Sequence, residues 1–376
     1  DTLSLHDALP ILENELGMLI PVKSWKKSKK QLKREETIRF KPRIEQLDFL
    51  KISDLRDKYQ VDYLTDYDKD LAAAASDILN CEVVGFDGEY RMGKIQAESA
   101  CLPSYVQIAT RKKAYVFNVE LLAHNNRKAI EFLSQVCGSD KIKKVGHSVD
   151  EDIGRILKYF TKKFKVSQKI RLNTCSIEVE LFTIKPPQTM GLSDISYRYL
   201  GKFMRKKERE ISAGGKDTLT NELQIEYVAL DSLMPLEFYL KHKEIINSTF
   251  SPISKISSLD TEPTFFVDYF LQNHLELTLS RLRIKVNYLD KLTIVDTVKI
   301  VTAKKGGVLI THDKGLLSNL EIRNKIPFFS RDQVENEIKK IIKLVRSPKK
   351  GTKGAQQYDQ IPSKNKQQQM PYSSYK

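Results

Sequence analysis

Asp87 and Glu89 stand two residues apart near the end of the run Val83-Val84-Gly85-Phe86-Asp87-Gly88-Glu89-Tyr90. An apolar run of this kind reads as a buried strand, and side chains two apart on a strand share a face. Two carboxylates held side by side repel each other unless a cation lies between them. The pair therefore reads as half of a metal site. Asp152 is a candidate for the other half. It follows Gly146-His147-Ser148-Val149-Asp150-Glu151, where Ser148 and Glu151 have the spacing of a capping box that opens a helix. Asp150 and Glu151 have a plainer reading there, as complements to the helix dipole. Tyr227 and Asp231 are four residues apart in Tyr227-Val228-Ala229-Leu230-Asp231 and so share one helix face. Phosphodiester cleavage by two metal ions needs several carboxylates converging on cations about 3.5–4 Å apart. One ion activates water and the other stabilises the leaving oxygen. Hard oxygen ligands indicate Mg²⁺ or Mn²⁺, and a nearby tyrosine hydroxyl can orient the attacking water.

Regular elements are expected to carry these residues. The stretch 66–79 reads as a helix with Leu71, Ala75 and Leu79 on one face, followed by the strand that ends at Asp87. Residues 104–109 and 113–118 read as neighbouring strands, 126–136 as a helix, and 144–146 as a short strand before the helix that starts near Ser148. Helices follow over 192–200 and from 221 to about 242. Strands and interleaved helices of this order indicate a mixed α/β domain. Residues 248–264 are rich in Ser, Pro and Thr and read as a linker. A second α/β unit then reads as strand 265–268, helix 270–284, helix 294–305 and strand 308–313.

Composition narrows the class of partner. Lys and Arg number 63 against 48 Asp and Glu, a formal net charge of +15 over 376 residues. Such an excess steers polyanions, nucleic acid above all. Many of the basic residues lie in 23–43, within the basic extension 12–60; they read as a solvated arm, a nucleic-acid arm or a nuclear localisation signal. Cys81, Cys101, Cys137 and Cys175 form no C-x-x-C pair and no disulfide framework, which suits a reducing, intracellular setting, cytoplasm or nucleus. No apolar run approaches the roughly 20 residues that span a bilayer, so no membrane partner is expected. Residues 1–11 read as a translated sequencing-adapter artefact and are set aside, while 346–376, rich in Lys and Gln, read as a disordered tail.

The order of the motifs resembles a known family. A D-x-E strand, an H-S-x-x-x-D helix and a Y-x-x-x-D helix are the pattern of the DEDDy branch of 3′–5′ exonucleases, which includes ribonuclease D and the Werner-type and mutator-type exonucleases. Val106-Gln107-Ile108-Ala109 is similar to the family's L-Q-I-A strand, and Gly191-Leu192 with Leu200-Gly201, Lys206 and Glu208 to its G-L…L-G…K-x-E stretch. The resemblance covers 61–247 and implies an RNase H-like fold with a mixed sheet. It also implies Asp87, Glu89, Asp152, Tyr227 and Asp231 as the catalytic set, the four carboxylates as ligands for two ions, and single-stranded nucleic acid as substrate, with RNA 3′ ends favoured by analogy and DNA left open. One departure is Ile211-Ser-Ala-Gly-Gly-Lys-Asp-Thr-Leu219, where the family usually has a Trp and an Arg-Pro-Leu segment. Tyr90 and Met92 are candidates for stacking on the terminal base, Lys206 and Lys207 for holding phosphates, and His147 reads as structural.

A second acidic set resembles the PIN-like RNase module that follows the exonuclease domain in mutator-type proteins. It spans 265–345, with Asp268 and Asp313 at strand ends and Asp296 at a helix start. Strand-end aspartates at a parallel rim suggest a second metal site; Asp296 equally suits ordinary helix capping. The family's C-terminal zinc ribbon, with its paired cysteines, is not found here. Two alternatives to the exonuclease reading stay open at this point: an RNA-binding adaptor on a catalytically weak fold, and an endoribonuclease acting through the second module.

Overall fold

A computed structural model describes residues 48–65, 68–92, 101–166, 172–184, 190–204, 222–257, 259 and 261–346. Residues 1–11, residues 12–47 of the basic extension 12–60, the tail from 347, Lys206, Lys207 and the departure at 211–219 lie outside the described residues. The described chain from Phe49 onward belongs to one unit.

The first sheet has six strands. β1 (Gln60–Leu64) follows a short helix α1 (Ile52–Leu55) and precedes α2 (Asp68–Leu79). β2 (Val83–Met92), β3 (Cys101–Ala109) and β4 (Lys113–Asn118) come next, then α3 (Val119–Asn125), α4 (Arg127–Gly138) and β5 (Lys143–Gly146). The helix α5 (Val149–Phe164), β6 (Thr174–Ser176), α6 (Ile177–Glu180), α7 (Leu192–Leu200) and the long α8 (Glu222–Ile246) complete this part. The strand order is β1-β4-β3-β2-β5-β6. β2, β3 and β4 pair antiparallel, whereas β1 with β4, β2 with β5 and β5 with β6 pair parallel. This is the mixed sheet that the resemblance to an RNase H-like fold implies.

Both faces of the sheet are covered, as the apolar runs of its strands require. Val84, Phe86, Val106 and Ile108 pack with Ile78, Ile130, Leu133, Ile153 and Phe160 from the helices on one face. Tyr105, Ala109, Ala114 and Val116 pack with Tyr227, Val228, Leu233 and Leu236 of α8 on the other. Alternation along β2 thus sends Phe86 to the first face and Gly85, Asp87 and Glu89 toward α8.

A second sheet follows. β7 (Thr264–Val267), a 3₁₀ turn (Tyr269–Leu271), α9 (Gln272–Arg281), β8 (Val286–Tyr288), α10 (Ile294–Ala303), β9 (Gly307–Thr311), α11 (Lys314–Ser318), β10 (Lys325–Pro327) and α12 (Arg331–Arg346) build it. The order β10-β9-β7-β8 is parallel throughout. The sequence places β7, α9, α10 and β9 to within a few residues and does not single out β8, α11, β10 or α12. It expects one helix over 270–284, where the chain first makes the 3₁₀ turn and then ends α9 at Arg281. It ends the first strand at Asp87, where β2 continues to Met92 through an irregularity in register between Glu89 and Tyr90.

Candidate active site

Three of the four candidate carboxylates stand together. Asp87 and Glu89 project from β2 toward α8, which carries Asp231, and one oxygen from each of the three lies within 4.8 Å of the others. The approach of helix to strand depends on Gly85. A methyl group there would stand 1.9 Å from the carbonyl oxygen of Ser232, the residue after Asp231. Tyr227 lies one turn before Asp231 on the same face, and Glu89, Tyr227 and Asp231 are all buried.

Asp152 enters from α5. Burial pushes its carboxyl up to about 7, with Glu89 adding in the same direction against Tyr90 and Arg155. A buried acid raised in this way beside other carboxylates is a group poised for a cation. Gln107 supports the same reading. It sits opposite Asp87 across the β2–β3 pair, and neither polar atom of its fully buried amide has a partner. Three crowded carboxylates, a raised acid and an orphaned amide together fit a divalent cation with oxygen ligands. Gln107 was legible in sequence only as part of the strand motif. Its chemical signal is a polar residue at an inward position of an apolar strand.

Several candidates have other tasks. Tyr90 packs with the core on the α5 side; its hydroxyl donates to the Asp152 carbonyl at 3.0 Å and Arg155 lies 5.4 Å from its ring centre. It therefore holds the helix that carries Asp152. Met92 ends β2, while Lys206 and Lys207 fall outside the described residues. The capping box expected at Ser148 is not formed. Ser148 takes a left-handed conformation, φ 52°, with no side-chain cap, and its N–H donates to Glu178 at 2.9 Å. His147 is held by the Met190 carbonyl, 2.6 Å from its Nε2.

The second acidic set is arranged differently. Asp268 and Asp313 follow the C-terminal ends of β7 and β9, as expected for a parallel rim. Arg198 of α7, which sequence reasoning did not weigh, pairs with both. Asp296 sits in the first turn of α10, where it accepts the Thr293 hydroxyl at 2.7 Å and lies 3.8 Å from Lys299. Among the described residues, only Asp87, Glu89 and Asp231 form an acidic cluster with metal-ligand spacing.

Residues 64–246 match the protein family described as 3′–5′ exonuclease. The chain carries a 3′–5′ exonuclease domain. Parts of the chain are also similar to solved structures. The Nibbler EXO domain of Aedes aegypti is 20% identical, with a TM-score of 0.39, over 51% of this chain and 95% of that one. Trypanosoma brucei RNase D in complex with RNA U12 is 15% identical, with a TM-score of 0.40, over 50% of this chain and 63% of that one. Escherichia coli RNase D, described as an exoribonuclease involved in structured RNA processing, is 17% identical, with a TM-score of 0.37, over 50% of this chain and 44% of that one. No curated protein matches the sequence. Among the described residues no helix is long and apolar enough to cross a membrane.

Proposed function

We propose that the exonuclease domain removes nucleotides from the 3′ end of single-stranded RNA, with Asp87, Glu89, Asp152 and Asp231 holding two divalent cations, Mg²⁺ or Mn²⁺. The observation that carries this reading is the convergence of Asp87, Glu89 and Asp231 oxygens within 4.8 Å. Bound cations supply a water acidic enough to attack at neutral pH and offset the charge that develops on the leaving oxygen. The chain's own residues do the rest. Asp87, Glu89 and Asp231 bring negative oxygens together on a rigid strand and helix. Asp152 extends this ligand set from α5. The Tyr227 hydroxyl, one turn from Asp231, orients the attacking water. Burial of Glu89, Asp152 and Asp231 strengthens each of these interactions relative to water.

RNA as substrate rests on the resemblance to ribonuclease D and the mutator-type branch, and the net charge of +15 favours a polyanion in general. The test uses RNA and DNA strands of one sequence, each with a free or a blocked 3′ hydroxyl, in Mg²⁺ and in Mn²⁺. Shortening of free-ended RNA, slower on DNA and absent on blocked strands, is the expected result. Equal loss of free and blocked strands would refute 3′ polarity, and faster loss of DNA would refute the substrate.

A further inference from the structure

Asp268 and Asp313 occupy the rim where a parallel sheet commonly binds a ligand, and in this chain the rim is filled from within. The Arg198 guanidinium enters between the two carboxylates. Its Nη2 donates to Asp268 Oδ2 at 2.7 Å, its Nη1 to Asp268 Oδ1 at 3.4 Å, and its Nε to Asp313 Oδ2. Further donors reach both carboxylates. Thr311 Oγ1 donates to Asp268 at 2.6 Å, while the Tyr199 hydroxyl at 2.7 Å and the Gly315 and Leu316 N–H groups at 2.8 and 3.3 Å donate to Asp313 Oδ1. Arg198, Asp268 and Asp313 are 3%, 2% and 0% exposed, so neither water nor an ion has access without opening the contact. A divalent cation needs free carboxylate oxygens, and Mg²⁺ generally keeps several waters. Burial alone would raise Asp268, yet Arg198 holds it below the ordinary carboxylate range.

The contact extends beyond the charges. Thr183 N donates to the His312 carbonyl at 2.8 Å and Lys314 N to the Leu181 carbonyl at 2.9 Å, so the segment after α6 pairs with the segment after β9. Phe182 stacks on the buried His312 ring at 4.6 Å. Lys314 Nζ reaches the Ile246 carbonyl, at the end of α8, at 2.8 Å. Tyr199 then packs edge-on against Phe238 of α8, with ring centres 4.8 Å apart. α8 is the helix that carries Tyr227 and Asp231.

We propose that Asp268 and Asp313 are a socket for Arg198, and that the C-terminal sheet is a non-cleaving brace that fixes α8 rather than a second nuclease. A buried ion pair adds little net stability against an apolar contact of the same shape, because both charges lose their hydration. Its use is orientation: the guanidinium fork fits the two carboxylates in one arrangement. Arg198 and Tyr199 are therefore positioning residues. Their effect on catalysis rests on the exonuclease reading, whereas the socket itself does not.

The test uses the full chain. In the Asp87→Asn/Asp231→Asn background, which removes the first acidic cluster, Mn²⁺ titration followed by electron paramagnetic resonance is expected to show no stoichiometric site. Circular single-stranded RNA, which has no 3′ end, is expected to stay intact with the wild-type chain. One Mn²⁺ per chain, or cuts in the circle, that vanish on Asp313→Asn would overturn the proposal. Hydrogen exchange tests the brace independently of activity. Arg198→Met should speed exchange in 192–200 and 231–246, with Arg198→Lys recovering part of the protection. Tyr199→Phe, which keeps the ring packing and loses only the hydroxyl contact, should show a smaller change in the same segments. It gives the readout should Arg198→Met not fold. Each folded variant should lose kcat with little change in KM. Wild-type exchange in folded Arg198→Met, or in Tyr199→Phe where the former does not fold, would overturn the brace.

Discussion

Replacing Gly85 by alanine tests how closely catalysis depends on the spacing of β2 and α8. The added methyl would meet the Ser232 carbonyl oxygen at 1.9 Å, its carbonyl carbon at 2.9 Å and the Leu236 Cβ at 3.0 Å. Contacts of a real Cβ below 3.0 Å are essentially never seen, so helix and strand must part by about 1 Å, and most of what the methyl meets is backbone that cannot rotate away. Asp231 immediately precedes Ser232, while Asp87 lies two residues beyond Gly85 on the same face. The movement therefore separates the carboxylates that have to share cations. A displacement of about 1 Å in a catalytic constellation costs on the order of 10²-fold in rate, and overpacking of this kind destabilises by about 1–3 kcal/mol. The assay is kcat on 5′-labelled single-stranded RNA, with thermal unfolding measured in parallel. Gly154→Ala is the control, since a Cβ there meets nothing within 4 Å and an exposed helical alanine stabilises by about 0.5–1 kcal/mol. A folded Gly85→Ala protein with wild-type kcat would refute the argument that this contact sets the ligand spacing.

Other substitutions probe separate parts of the account. Tyr227→Phe should lower kcat by about 10²-fold and leave metal-induced thermal stabilisation intact; an unchanged kcat would remove the hydroxyl from the mechanism. Asp152→Asn in metal-free protein removes a buried acid beside Glu89, so the melting temperature should rise while the further rise on adding Mg²⁺ shrinks; a fall in metal-free stability would contradict this. Lys325 is buried, which pushes its ammonium down from 10.5 to about 8 with Lys255 adding to the effect. Between those values the unfolded chain binds more protons than the folded one, so stability should rise with pH across that window. Lys325→Met should flatten the rise, as read by denaturant midpoints at several pH values.

What the sequence reveals and what it hides follow from the distances involved. Asp87 with Glu89 and Tyr227 with Asp231 are legible because strand and helix periodicity assign faces locally. The strand-end positions of Asp268 and Asp313 are legible for the same reason. Their partner is not: Arg198 precedes them by 70 and 115 residues and comes from a different sheet's surroundings. The capping box at Ser148 fails for a similar cause, since Glu178, 30 residues away, takes the N–H that a local cap would satisfy. Tyr90 reads as a base-stacking candidate because it follows the motif, while the alternation of β2, which puts it on the face of Phe86, gives it a packing role against the α5 core that is visible only in the structure.

The most direct measurement is the degradation pattern of 5′-labelled single-stranded RNA with Mg²⁺, comparing the wild-type chain with Asp87→Ala. The account predicts a ladder of products shortened one nucleotide at a time in the wild type, abolished by chelation and by Asp87→Ala with the fold intact. Undiminished shortening by Asp87→Ala, or RNA bound and left whole by the wild type, would contradict it.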